Sequence, residues 1–451
     1  MMPSGLTKKQ VKKSLKNSVL DAASYSSMAG LTQNYITPYA LAMNATTTQV
    51  GFLTAIPYLA MILTQMIAPT LAERAGSRKR FILAGAFLHS LVWLPICLIP
   101  FIFQTNRIWW LILFVTLCVA FDSIGNAPWN SMMADLVPEQ IRGHYFSYRT
   151  RISAMVSLLL SFVAGGILQL LTKNIFLAFS MIFAGASISR FFSTWFLSQM
   201  VEPPAVKPKT KQASIFELSL TLGSTNIGKF IIFNALLTFT TNLASPFFSV
   251  YMLSDLKFNY LTYFIATAIP TLITLLCIPF WGKIVDRNGN VKVLRVTMLF
   301  IPLLPILWLV SKSPYYLCGV QVLSGFAWAG CNLAVSLFLY VATQAENRTR
   351  YIALNNVLMF TGVSLGALLG GIIAPHVPLV LRNNLLTIFL ISGVARILVV
   401  AIFLPKISEV RPVAEASVSE ILFGGPQFSR VRGFSDVVFR RAKQNRKTKE
   451  K

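Results

Sequence analysis

The sequence predicts an all-α membrane protein of about twelve transmembrane helices, arranged as two pseudo-symmetric six-helix bundles. Three observations predict it. The first is composition: of 451 residues, 55% are hydrophobic and only 12% charged, and the mean hydropathy is +0.64. A soluble domain carries about 25% charged residues, so the chain falls in the membrane class. The second is a series of apolar runs, each of roughly the 18–25 residues one helix needs to cross a bilayer. The third is an internal duplication. Ala55-Ile56-Pro57, Glu73-Arg74 and Gly76 recur as Ala268-Ile269-Pro270, Asp286-Arg287 and Gly289, every position displaced by the same 213 residues. In both copies a long apolar run ends in a turn too charged to enter a bilayer.

The runs fall at 18–43, 48–70, 81–103, 108–135, 150–171, 175–199, 228–252, 259–283, 292–311, 314–342, 353–376 and 384–405. The fourth and tenth are long, and their inner ends are expected to protrude. The first follows the basic stretch Lys8–Lys16 and is too long for the apolar core of a signal peptide, so it reads as a retained helix. This gives a basic N-terminal segment over 1–17, a first bundle over 18–200, a linker over 201–227, a second bundle over 228–405 and a basic tail over 406–451. The linker holds Pro203-Pro204, Lys207, Lys209 and Lys211, with a short surface helix expected near 215–222.

Orientation follows from Lys and Arg, which concentrate on the cytoplasmic side. With both termini inside, only Arg107, Lys173, Lys257, Lys312 and Arg382 of the 40 basic residues lie outside, while Arg190 and Arg396 fall within spans. The net charge of +25 also fits a nucleic-acid binder. The charges lie in short gaps between apolar runs and at the chain ends, however, so no nucleic-acid partner is expected. The tail is expected to meet anionic lipid headgroups or simply to be solvated.

The duplication continues. Asn34-Tyr35-Ile36-Thr37-Pro38 in the first run is echoed by Asn242-Leu243-Ala244-Ser245-Pro246 in the seventh. Arg142 and Tyr145 are echoed by Arg348 and Tyr351, and Arg190 by Arg396. Six spans per copy give both copies one orientation, as in parallel repeats about an axis along the membrane normal.

At this point the sequence resembles the major facilitator superfamily, of the prokaryotic type. The family's turn signature, G-x-L-A-D-R-x-G-R-K, is matched by Pro69-Thr70-Leu71-Ala72-Glu73-Arg74-Ala75-Gly76-Ser77-Arg78 and by Gly282-Lys283-Ile284-Val285-Asp286-Arg287-Asn288-Gly289. Pro69, Glu73 and Ser77 depart from it in the first copy. Ala134-Asp135-Leu136-Val137-Pro138-Glu139-Gln140-Ile141-Arg142-Gly143 resembles the family's connection between the fourth and fifth helices. The resemblance implies transport by alternating access. It implies that Glu73, Arg74 and Gly76, with Asp286, Arg287 and Gly289, belong to inner-face charge networks, joined by Arg142 and Arg348. The alternative is that these charges only fix topology at helix ends. The resemblance also implies that the first, fourth, seventh and tenth helices line the cavity.

Candidate site residues lie on those four runs. Asp122, Asn126 and Asn130 share one face of the fourth, with Trp129 near it; Trp328, Asn332 and Ser336 share the matching face of the tenth. Polar groups facing lipid are costly, so these stripes look into a wet cavity or bridge helices. Ser26, Gly30 and Asn34 form a similar stripe on the first run, and Asn234, Thr238 and Asn242 on the seventh. Pro38 and Pro246 follow, each freeing a carbonyl and letting its helix bend.

Asp122 reads as the one acid near mid-membrane, where an ionised carboxylate costs roughly 2.5–3.5 kcal/mol on insertion scales. Direct substrate contact, proton carriage and pairing with Arg190 compete for it. Arg190 and Arg396 are expected to snorkel to the inner interface, with binding of an anionic substrate as the sharper alternative. Gly362, Gly366 and Gly370 on the eleventh run read as a sliding contact between bundles, or as ordinary tight packing.

The five cysteines read as small buried hydrophobes. No metal spacing, catalytic triad or phosphate loop is visible, and His89, His144 and His376 are scattered. No enzyme activity, cofactor or metal is therefore expected. The expected function is secondary active or facilitated transport of a small solute across the cell (plasma or inner) membrane by a monomer, with protons as a candidate coupling ion. The alternatives are a proton-coupled drug or metabolite efflux antiporter, disfavoured by Gly165-Gly166 in place of the antiporters' glycine-proline pattern, and a non-transporting receptor or scaffold.

Overall fold

A computed structural model describes residues 7–74, 77–138, 141–203, 215–220, 222–343, 347–378 and 383–410. No β-strand occurs among them. The helices are α1 (Lys8–Thr32), α2 (Ile36–Ala42), α3 (Thr47–Arg74), α4 (Arg78–Ile102), α5 (Arg107–Leu136), α6 (Arg142–Leu170) and α7 (Ile175–Ser198). After the linker come α8 (Ile215–Leu220), α9 (Asn226–Asn242), α10 (Phe247–Val250), α11 (Tyr260–Asn288), α12 (Asn290–Thr297), α13 (Leu303–Leu307), α14 (Pro314–Val341), α15 (Arg348–Ile373) and α16 (Asn384–Phe403). Ten helical segments among the described residues are long and apolar enough to cross a membrane.

The other two expected runs, the first and the ninth, are broken helices, and the sequence explains each break. Pro38 has no N–H to give to the carbonyl four residues back, that of Asn34, and the first run breaks there between α1 and α2. Its echo Pro246 orphans Asn242 in the same way, between α9 and α10. In the ninth run a turn over 298–302 separates α12 from α13, and Pro305 orphans the carbonyl of Ile301. The first run also starts earlier than expected. A reciprocal cap between Thr7 and Gln10 begins α1 at Lys8, inside the segment read as a basic terminus.

In the first half α1 packs on α6 and α7, and α4 packs on α5 and α7. In the second half α9 packs on α15 and α16, and α14 packs on α11 and α12. The first core is built around Tyr35, Tyr39, Trp93, Phe179 and Phe183, the second around Phe230, Phe247, Trp281, Phe338 and Phe389. Large apolar side chains such as Leu170, Phe191, Trp195 and Val310 point outward, as a lipid-facing surface requires.

The halves meet through α3 against α15 and α6 against α11. The hydrogen bonds of this interface lie toward one end. Thr48 Oγ1 donates to the Gly371 carbonyl (2.9 Å), and Ser364 Oγ to that of Ala55 (2.9 Å). Tyr263 Oη donates to the Asn34 carbonyl that Pro38 freed (3.0 Å). A Cβ on Gly51 would stand 2.9 Å from Gly371 Cα, so the two backbones touch only because both residues are glycine. Farther along, Leu63, Met66 and Ile67 of α3 are exposed, as are Leu272 and Leu276 of α11. The bundles thus close at the end holding the α2–α3 connection and diverge toward the end where α1 begins and α16 finishes.

The glycine stripe of α15 does not slide between bundles. Gly362 faces Ala235 and Phe239, Gly366 faces Phe239 and Asn242, and Gly370 faces Leu243, all within the second bundle. The residue beside the stripe, Gly371, is the one that crosses to the other half.

Candidate functional site

Five helices of the first bundle converge on a buried polar network. Asp122 of α5 accepts a hydrogen bond from Tyr25 Oη at 3.0 Å and pairs with Arg190 of α7 at 3.2 Å. Arg190 also donates to Ser193 Oγ (2.9 Å), whose hydroxyl donates to Asp21 of α1 (2.7 Å). Asp21 pairs with Arg149 of α6 at 3.3 Å. Arg149 lies over the Trp129 ring and Arg190 over the Tyr25 ring, so aromatic faces share in holding both cations. Two carboxylates thus face two guanidinium groups, and the network carries no net charge apart from His89.

His89 of α4 stands between the two signs. Its Nδ1 is 3.2 Å from Arg190 Nε and 3.3 Å from Asp122 Oδ1. A ring nitrogen either accepts a hydrogen bond or donates one, so the position of the imidazole proton decides which neighbour it holds. A cavity of about 170 Å³ is lined by Asp21, Asp122, Asn126, Trp129, Arg149 and Arg190. A second, of about 430 Å³, opens on the other side of Asp122 and is bordered by Tyr25, Gln33, Tyr58, His89 and Trp93.

Several expectations are corrected here. Asp122 is not the only acid in the apolar region, because Asp21 lies 3% exposed inside the bundle. Arg190 and Arg396 do not snorkel; they are 6% and 3% exposed and face inward. Of the three roles open to Asp122, pairing with Arg190 is present. Sequence reading passed over Asp21, Tyr25, His89 and Arg149. Asp21 and Tyr25 are four residues apart on one face of α1, a signal that was available. His89 and Arg149 reach the network only through packing.

The second bundle has a different centre. Arg396 of α16 donates to the carbonyl of Ile301 (3.1 Å), which Pro305 leaves without its helical partner, and to that of Thr241 (3.3 Å). Among the described residues its Nε has no hydrogen-bond partner. A cavity of about 270 Å³ lies beside it, bordered by Ser245, Trp308, Gln321, Ser324 and Trp328.

The two polar stripes divide along their length. Asp122 and Trp328 face the interiors of their own bundles. Asn126, Asn130, Asn332 and Ser336 are exposed on the diverging parts of α5 and α14, and Ser336 Oγ also donates to its own helix at the Asn332 carbonyl. The other two stripes work in packing. Asn34 reaches Ser161 Oγ at 3.4 Å, Asn234 donates to Asn355 at 2.9 Å, and Asn242 donates to the Thr238 carbonyl of its own helix. None of these three borders the cavities above. Gly30 lies against the Ser157 backbone of α6, a contact that leaves no room for a side chain.

At the diverging end, the first turn motif acts through a residue that sequence reading did not single out. Arg78 pairs with Asp135 at 2.6 Å and with Glu202 at 3.6 Å, and Glu202 also accepts from the Arg78 backbone N–H at the start of α4. Its repeat counterpart Glu409 accepts from the Val291 N–H at the start of α12 and lies against Gly289, whose φ of +86° suits glycine. Each bundle thus ends in an acid that caps its third span, a favourable place for negative charge. Arg142 donates to the carbonyls of Ala134 and Val137, and Arg348 to that of Thr343, so both stitch a helix end to the next helix. Asp286 and Arg287 are exposed and form no ion pair among the described residues. Glu73 and Arg74 end α3, and their side chains, like Gly76, lie outside the described residues.

The sequence matches the family model of the Major Facilitator Superfamily twice, over residues 22–239 and 230–443. The chain belongs to the major facilitator superfamily. No curated protein sequence matches it. Solved structures similar to this transporter include a mutant of the nucleoside transporter NupG, at a TM-score of 0.68 and 14% identity, covering 88% of this chain and 100% of that one. The D-xylose-proton symporter superposes at 0.67 with 13% identity, covering 90% and 99%. A bacterial homologue of the human lysosomal transporter Spinster, inward-facing, superposes at 0.60 with 14% identity, covering 89% and 97%. At such identities these likenesses establish the fold alone. The protein is a multi-pass membrane transporter.

Proposed function

We propose that this transporter moves a small polar solute by alternating access, as a secondary active or facilitated carrier with twelve spans and both termini on the cytoplasmic side. The observation that carries the reading is the gap between the bundles. It is shut at one end by backbone contacts across Gly51 and Gly371, and Asn126, Asn130, Asn332 and Ser336 are exposed along the other. Amides exposed two-thirds of the way along apolar helices, as Asn126 and Asn332 are, are costly against lipid and natural in a water-filled path. On the proposed orientation this is an inward-open arrangement. Substrate enters the gap, and Asp122, with the groups around it, is the centre that senses it.

The His89 geometry favours protons as the coupling ion. A proton added to the imidazole lets Nδ1 donate to Asp122 and ends its role as acceptor for Arg190. Arg190 then has to rearrange, and it is the residue linking Asp122 to Asp21. The test is uptake of sugars, nucleosides, amino acids and organic acids into liposomes with and without an imposed pH gradient. Uptake driven by the gradient in wild type, and indifferent to it in His89→Gln, supports coupling. If no solute in the panel enters faster than into protein-free liposomes, transport of these polar classes is refuted.

A further inference from the structure

The two bundles are repeats, yet their buried charges do not match. Arg190 and Arg396 are separated by 206 residues, and the same displacement carries Asp122 onto Trp328. In the first bundle the arginine pairs with that carboxylate, and in the second the equivalent position holds an indole that borders the same cavity as Arg396. Among the described residues no carboxylate lies within ion-pairing distance of Arg396. Its guanidinium has only two backbone carbonyls, at 3.1 and 3.3 Å, and a buried Nε with no acceptor. Thr241 Oγ1, which borders the same cavity, also lacks a partner among the described residues. A buried cation held only by carbonyl dipoles has lost its hydration without gaining an opposite charge. The cost of that arrangement is recovered if an anion enters.

We propose that the cavity beside Arg396 is a binding site for a small carboxylate, and that the ligand's carboxylate takes the place Asp122 holds in the first bundle. The surroundings define the rest of the ligand. Phe248, Trp308 and Trp328 offer aromatic walls, while Ser245, Gln321 and Ser324 offer donors and acceptors. The volume of about 270 Å³ suits one compact acid with an aromatic or branched apolar body. Guanidinium recognises a planar carboxylate through parallel N–H donors, which distinguishes it from a neutral amide of the same shape. This inference rests on the transport reading only for its consequence, that the solute is an organic acid; the site itself stands on the geometry of the second bundle.

The test uses the full-length protein in detergent or nanodiscs. Benzoate, phenylacetate and indole-3-acetate are titrated against their amides and against inorganic phosphate, up to about 10 mM, where affinities weaker than ordinary substrate sites are still detected. Binding is read by thermal shift and by tryptophan fluorescence, since Trp308 and Trp328 line the cavity. The expected result is stabilisation and a fluorescence change with at least one carboxylate, absent with its amide and with phosphate. Arg396→Gln is expected to weaken that binding by at least tenfold.

Because Arg396→Gln takes a donor from the freed Ile301 carbonyl and so puts the fold at risk, Trp328→Asp supplies a second arm. It installs an internal carboxylate at the repeat-equivalent position and is expected to abolish binding while keeping the fold. Should neither variant fold, the wild-type contrast between acid and amide decides the matter alone. Equal binding of acid and amide, binding of phosphate as tight as carboxylate, or no binding by any acid overturns the site. Uptake of neutral solutes without any carboxylate binding overturns the site but leaves transport standing; carboxylate binding without uptake of anything does the reverse.

Discussion

Asp122 is the residue on which the first bundle turns, because three other helices reach it through Tyr25, His89 and Arg190. Removing one charge of a buried pair strands the other, at a cost of about 3–5 kcal/mol. Asp122→Asn is accordingly expected to lower the thermal midpoint clearly and to abolish transport. Adding Arg190→Gln should restore most of the lost stability without restoring transport. An Asp122→Asn protein as stable as wild type would show that the pair is not what holds these helices. Arg78 makes a second, smaller case. Its guanidinium bridges Asp135 and Glu202 and donates to the Pro203 carbonyl at 2.7 Å. Arg78→Ala is expected to cost about 1–3 kcal/mol, measured by thermal unfolding, since charge-assisted bonds at a half-buried site are lost.

At the scale of elements, proline and glycine positions decide more than the charged motif does. Pro38, Pro246 and Pro305 each free a carbonyl, and at Asn34 and Ile301 a side chain from elsewhere takes it up: Tyr263 from the opposite bundle, Arg396 from within its own. A break thereby becomes a point of attachment. Two glycine contacts of α15 allow a clean comparison. Gly371→Val should force α3 and α15 apart and increase labelling of a cysteine placed at Thr48 by a membrane-impermeant reagent. Gly366→Val, pressed against the Phe239 carbonyl inside one bundle, should lower stability and leave that labelling unchanged. Equal labelling in the two variants would contradict the assignment of Gly371 to the contact between bundles.

For the whole molecule, the repeat fixes a common plan and the differences between copies carry the chemistry. Each half caps its third span with a trailing acid, Glu202 or Glu409, and stitches its fourth to its fifth with an arginine, Arg142 or Arg348. The centres differ, with Asp122 opposite Arg190 in one and Trp328 near Arg396 in the other. With the five native cysteines replaced, single cysteines at Asn126, Asn130, Asn332 and Ser336 are expected to react from the side of the termini. Cysteines at Thr48 and Ser364 should be protected in the same preparation. Labelling of the four stripe positions from neither side would remove the aqueous gap from the account.

Much of the architecture was legible in the residues. The apolar runs, the displacement of 213 residues and the basic gaps between spans gave two six-run halves, because burial in lipid constrains length, period and charge strongly. The prolines that break the first and seventh runs were visible as well. The partners of charged groups were not. Arg190 and Arg396 occupy equivalent positions and read alike, yet one pairs with a carboxylate and the other has none beside it among the described residues, and only the residues brought beside them in space distinguish the two. His89, Arg149 and Gly371 were passed over for the same reason. Period and composition report which face of a helix is apolar; which distant helix supplies the opposite charge depends on packing between segments 68 residues apart for Asp122 and Arg190 and 128 for Asp21 and Arg149, and that is decided by tertiary structure alone.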